Sequence, residues 1–172
     1  MSNKPTFSMS MVISGNTGYV NYQPKGDRVK VFFDTEFTGL HQHTTLVSIG
    51  CVAKNGRTFY AETNDYDYCQ TDEWFDKNVL PNLRLNIHDG RAWTFPGHDK
   101  TEVYGCKRKI AAALQTWLES FGEPIEIWSD CLAYDWVLFC ELYGGALKIP
   151  ECVYYIPFDV CTLLKVRGAD PD

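Results

Sequence analysis

Asn55-Gly56 stands between two runs rich in β-branched and aromatic residues, TTLVSIGCVAK (44–54) and RTFYAET (57–63). Both turn residues tolerate positive φ, which a tight two-residue connection with the twist of a β-hairpin requires. The flanking runs therefore have to pair as antiparallel neighbours. A third run, VKVFFD (29–34), precedes them and has the same strand character, so the domain opens as a three-stranded meander. Downstream the pattern changes. EWFDKNVLPNL has a start signal at Thr71-Asp72 and is stopped by Pro81, which predicts one short helix. In KRKIAAALQTWLESFG (107–122), Ile110, Leu114, Trp117, Leu118 and Phe121 recur at helical spacing and Gly122 ends the run. IEIWSD (125–130) reads as a strand, and AYDWVLFCELYGG (133–145) as a buried helix, apolar nearly all round. CVYYIPFDV (152–160) holds a short strand, and a last helix begins in DVCTLLKV. The segment from Arg84 to Glu102 shows no period and is expected to be a long loop. Hairpin strands followed by alternating helices and strands predict an α/β fold, a mixed sheet flanked by helices.

The 172 residues are 45% hydrophobic and 22% charged, which suits one globular domain over 29–172. Residues 1–28, rich in Ser, Asn, Gly and Lys, are expected to be a poorly ordered leader. A net charge of −6 provides no global field for a polyanion, so a nucleic acid would have to be held locally. The seven cysteines form no C-x-x-C pair and no zinc-type spacing with histidine, which argues against a disulfide framework and a structural zinc. With no signal peptide and no apolar run of membrane-spanning length, the expectation is a cytoplasmic protein with reduced thiols and no membrane partner.

VFFDTEFTGL (31–40) places Asp34 and Glu36 with one residue between them at the end of the first run. Side chains two apart on a strand share a face, so the two anions repel unless a cation lies between them. Hard oxygen ligands of this kind suit Mg2+ or Mn2+. A solvated turn is the alternative for a D-x-E taken alone. Asp135, in SDCLAYDWVLF, is a candidate third acid, because a charge at the start of an apolar helix is costly without a partner; a first-turn carboxylate complementing the helix dipole is its other reading. Asp130, five residues earlier, is read as a turn or N-cap residue. His41 and His43 are read as surface or packing residues.

FFDTEFTGL and SDCLAYDWVLF resemble the first and second motifs of the DEDD superfamily of 3′-to-5′ exonucleases, and EWFDKNVLPNL is similar to its ribonuclease AS-like exoribonuclease branch. The resemblance implies a ribonuclease H-like fold and two-metal phosphodiester hydrolysis at single-stranded 3′ ends, on RNA in preference to DNA, with ions about 4 Å apart. It implies Asp34 as ligand to both ions, Glu36 to one, and Asp135 direct or through water. Phe37 and Leu40 would stack on or wedge beside terminal bases, and backbone at Thr38-Gly39 could approach the ligand. Homodimers are common in the family, which adds a second copy to the expected partners.

The superfamily's third motif, H-x(4)-D or Y-x(3)-D on the last helix, has no counterpart here. Tyr155 and Asp159 fit the spacing formally, but Pro157 breaks the helix they would share, and Asp159 reads instead as a helix cap. The sequence reaches VRGADPD where a helix with that motif is expected, so the C-terminal helix reads as truncated. On that ground the chain is expected to hydrolyse little by itself, and a catalytically silent nucleic-acid-binding or interaction module of the same fold is the competing expectation.

Overall fold

The computed structural model describes residues 8–13, 16–21, 28–85 and 91–170. Among these residues nine strands and four α-helices follow in chain order: β1 (Ser8–Ile13), β2 (Asn16–Asn21), β3 (Val29–Phe37), β4 (Leu46–Ala53), β5 (Thr58–Thr63), α1 (Glu73–Asn78), β6 (Trp93–Pro96), β7 (Lys100–Gly105), α2 (Lys107–Glu119), β8 (Ile125–Ser129), α3 (Leu132–Leu142), β9 (Phe158–Asp159) and α4 (Val160–Val166). Strands β1 and β2 form a separate antiparallel pair. Most of the expectation for residues 1–28 lies outside the described residues.

The other strands build one mixed sheet in the order β6-β7-β5-β4-β3-β8-β9. The meander β3-β4-β5 is antiparallel, as its turn chemistry requires, with Gly56 at φ 88° in the hairpin. β7 joins β5 in parallel and β8 joins β3 in parallel, each reached by a crossover. The sheet and its flanking helices form an α/β fold consistent with a ribonuclease H-like arrangement.

Alternation sorts β3 cleanly. Val31, Phe33 and Thr35 are buried, while Phe32, Asp34 and Glu36 are exposed. The buried face meets the apolar stripe of α2, where Ile110, Leu114 and Leu118 are fully buried, and Leu138 and Phe139 of α3, in one core. Residues opposite one another in register share a face, so the side of the sheet that bears the acids carries two rows: Asp34, Gly50, Tyr60 and Glu102, then Glu36 and the buried Ser48, Glu62 and Tyr104.

Two expectations need correction. The stretch from Arg84 to Glu102 is not all loop, since Trp93–Pro96 and the start of β7 are paired strands. The first strand does not end at Asp34; it continues through both acids to Phe37, with a register shift between Glu36 and Phe37. At the start of α2 the Asp65 carboxylate accepts the Lys107 backbone N–H at 3.1 and 3.2 Å, so an anion sits at that helix N-terminus.

Candidate metal centre

The register of β3 against β8 creates the site. Their parallel pairing ends at Phe32 opposite Trp128, and β8 stops at Ser129 while β3 runs on to Phe37. Beyond that point one edge of β3 is open, and the first turn of α3 brings Asp135 into the gap. Asp135 is 1% exposed. Its Oδ1 accepts from the Thr35 backbone N–H at 3.2 Å and from the Thr35 hydroxyl at 2.6 Å, and its Oδ2 accepts from the Ser129 hydroxyl. A carboxylate has about four acceptor positions, so these bonds leave one, on Oδ2. The bonds to Asp135 thus explain why a polar residue, Thr35, stands at a core-facing position of an apolar strand.

Oxygens of Asp34, Asp130 and Asp135 all lie within 4.8 Å of one another. Glu36 is not part of that tight group, but it projects from the same face as Asp34 and adds to the field there. Among the described residues no ion pair reaches any of the four acids. The consequence is electrostatic. Desolvation first, then the charges of Asp135, Glu36 and Asp130, push the Asp34 carboxyl up to about 6. Glu36 is raised by desolvation and by Asp135. Asp135 is raised by desolvation, against the lowering effect of the Ser129 and Thr35 bonds. An all-oxygen donor set, crowded and without a neighbouring cation, is chemically suited to a hard divalent ion.

A pH-dependent result follows for the metal-free protein. Asp34 has a folded value near 6 against 3.8 in the unfolded chain, so folding favours its protonated form, and stability is lost as pH rises through that window. Asp34→Asn is expected to melt at the wild-type temperature below about pH 4 and above it from about pH 6 upward, a difference read by thermal melting. Mn2+ added above pH 7 is expected to close the gap by raising only the wild type.

The structure brings Asp34 and Asp135 together and adds Asp130, whose Oδ1 also accepts the Cys131 N–H at 2.8 Å. Asp130 is therefore a turn residue and a member of the cluster at once, while Cys131 is the residue that caps α3. Phe37 is half-buried and stacks on Tyr134 at 5.3 Å between centroids. The Thr38 hydroxyl is buried and committed to Gln70 at 2.6 Å and to the Thr45 N–H at 2.9 Å. Leu40 is 75% exposed. His41 and His43 are exposed and belong to no metal-ligating group among the described residues. Tyr155 lies outside any helix and is exposed, whereas Asp159 caps α4 by accepting the Thr162 N–H. No helix among the described residues is long and apolar enough to cross a membrane.

Residues 29–171 match the family described as the 3′-5′ exoribonuclease Rv2179c-like domain. The 3′-5′ exoribonuclease Rv2179c of Mycobacterium tuberculosis strain H37Rv is 28% identical over 141 residues, spanning 81% of this chain and 76% of the relative. The 3′-5′ exoribonuclease MT2234.1 of strain CDC 1551 matches to the same extent, at 28% over 141 residues.

Proposed function

This chain belongs to the 3′-5′ exoribonuclease Rv2179c-like domain family, and from that membership we propose that it removes nucleotides from the 3′ end of single-stranded RNA at the carboxylates of Asp34, Glu36 and Asp135. The observation that carries this reading is the cluster of Asp34, Asp130 and Asp135 oxygens within 4.8 Å, on the exposed face of the strand that also bears Glu36. A pair of divalent ions, Mg2+ or Mn2+, would supply an activated water and charge stabilisation of the leaving 3′ oxygen. Asp34 would hold both ions and Glu36 one of them. Asp135, with one free acceptor position, would hold an ion or a water through Oδ2, and Asp130 would be available to the same ions. Thr35 and Ser129 fix the Asp135 carboxylate so that its free position does not rotate away. Phe37, resting on Tyr134, offers an aromatic surface beside the acids, and Leu40 an exposed apolar one; either can contact a base of any identity. The DEDD-type assignment, a cytoplasmic location and a homodimer belong to the same proposal.

The test is the fate of a 3′-labelled single-stranded oligonucleotide, RNA against DNA, with Mn2+ or Mg2+ and with chelator. The proposal expects the label to leave as a mononucleotide from RNA in preference to DNA, and chelator to stop the release. Internal cleavage products, or release that survives chelation, would contradict it.

A further inference from the structure

A groove of about 250 Å3 leads from the acids across the exposed face of the sheet, and its lining includes Asp34, Glu36, Gly50, Tyr60, Asn82 and Arg84. Its floor follows the register row Asp34, Gly50, Tyr60. Gly50 contributes no side chain, so the floor is open between the carboxylate and the ring, two strand spacings or about 10 Å apart. Arg84 is the one cation among the described lining residues.

Arg84 is unusually well held for a residue half in solvent. Its backbone N–H donates to Glu62 Oε1 at 2.7 Å, and the next N–H, of Leu85, donates to both Glu62 oxygens at 3.1 and 3.0 Å. Glu62 is 1% exposed and also accepts the Tyr60 hydroxyl at 2.9 Å. A buried carboxylate is costly unless several donors meet it, and here the donors are the backbone of the segment that carries Arg84. The guanidinium lies over the Tyr60 ring, 4.5 Å from its centroid, and one nitrogen pairs with Glu102 at 3.1 Å. Lys100 shares that carboxylate at 2.9 Å, so one anion faces two cations and does not neutralise Arg84 fully. The Arg84 side chain is 53% exposed, and a guanidinium has five N–H donors in a rigid fork suited to phosphate oxygens.

Resting on the exoribonuclease reading above, we propose that Arg84 is a substrate-binding residue that holds an RNA phosphodiester flanking the one at the acids, in a groove kept open by Gly50. In a chain of net charge −6, a fixed cation beside the acids gives the polyanion a local anchor that the whole-protein field does not provide.

The experiment uses short 5′-labelled oligouridylate and oligoadenylate RNAs of equal length, with shortening measured in Mn2+ and binding in Ca2+, each over a range of KCl. For Arg84→Ala the expected result is a KM raised about tenfold, with the larger part of the effect on KM rather than kcat. The slope of log affinity against log salt should become shallower by about 0.7, the value of one single-strand phosphate contact, which a merely structural role would not change. Arg84→Lys should recover part of the affinity and most of the salt slope. Gly50→Val, a β-branched residue suited to a strand, should raise KM by filling the floor while the salt slope stays as in wild type. If wild type shortens RNA but Arg84→Ala keeps its KM and salt slope, the assignment of Arg84 fails alone. An Arg84→Ala effect that appears only with one base would show base reading and overturn the phosphate contact. If wild type neither binds nor shortens the RNA, the exoribonuclease reading fails and takes this inference with it.

Discussion

Asp34→Ala is expected to lower the rate of 3′-end degradation by about a thousandfold or more, which is about 4 kcal/mol of transition-state stabilisation. The size follows from the position of this carboxylate. It shares the tight oxygen cluster with Asp130 and Asp135 and receives the field of Glu36 as well, so its removal weakens any divalent ion held there, and such ions supply several kcal/mol of charge stabilisation. The loss should not come from unfolding. Asp34 is a strained charge in the metal-free protein, so its replacement should leave the melting temperature above pH 7 unchanged or raised. Single-turnover rates on 3′-labelled RNA, beside thermal melting of the same preparations, separate the two effects. A variant that folds and retains wild-type turnover would remove Asp34 from the reaction.

The second large effect is on stability. Thr35→Val keeps the shape of the side chain and the backbone N–H bond but deletes the hydroxyl that reaches the buried Asp135 at 2.6 Å. A hydrogen bond to a charged group contributes about 1.5–3 kcal/mol. For a domain of this size that corresponds to a melting temperature lower by about 3–12 °C. Losing a bond that holds the Asp135 value down also moves that carboxyl further up, so the deficit should be largest at neutral pH and shrink in acid, where Asp135 is protonated in both proteins. Thr35→Ser, which restores a hydroxyl, should recover most of it. Equal melting curves for Val and wild type across pH would show that this bond does not support the carboxylate.

Local chemistry made much of the fold legible. Asn55-Gly56 fixed a hairpin and with it the meander, and the stripe Ile110, Leu114, Trp117, Leu118 fixed the helix that covers the sheet. Elements that depend on distant partners were not legible. Trp93–Pro96 is a four-residue edge strand containing a proline, too short to show a period, whereas the short strand expected within 152–160 is present but paired over only two residues, Phe158–Asp159. The candidate site divides in the same way. Asp34 and Glu36 announce themselves because a strand puts alternate residues on one face. Asp130 could not be separated from an ordinary turn residue, because its position in the cluster depends on β8 ending at Ser129 while β3 runs on to Phe37 with only β4 beside it. Thr35 did leave a signal, a polar residue on the buried side of an apolar strand. The shape of the Arg84 groove was not legible, since Tyr60, Glu62, Arg84 and Glu102 come from separate segments and meet only in the fold.

Calorimetric titration of Mn2+ into the metal-free protein at neutral pH, with wild type beside Asp34→Ala, tests most directly whether the acid cluster is a metal centre. Saturable binding by wild type, with proton release that grows as the titration is moved from neutral pH down toward 6, where Asp34 titrates, and its loss in the variant, is the predicted result. Unchanged Mn2+ binding in Asp34→Ala would contradict the account, for the ion would then be held elsewhere.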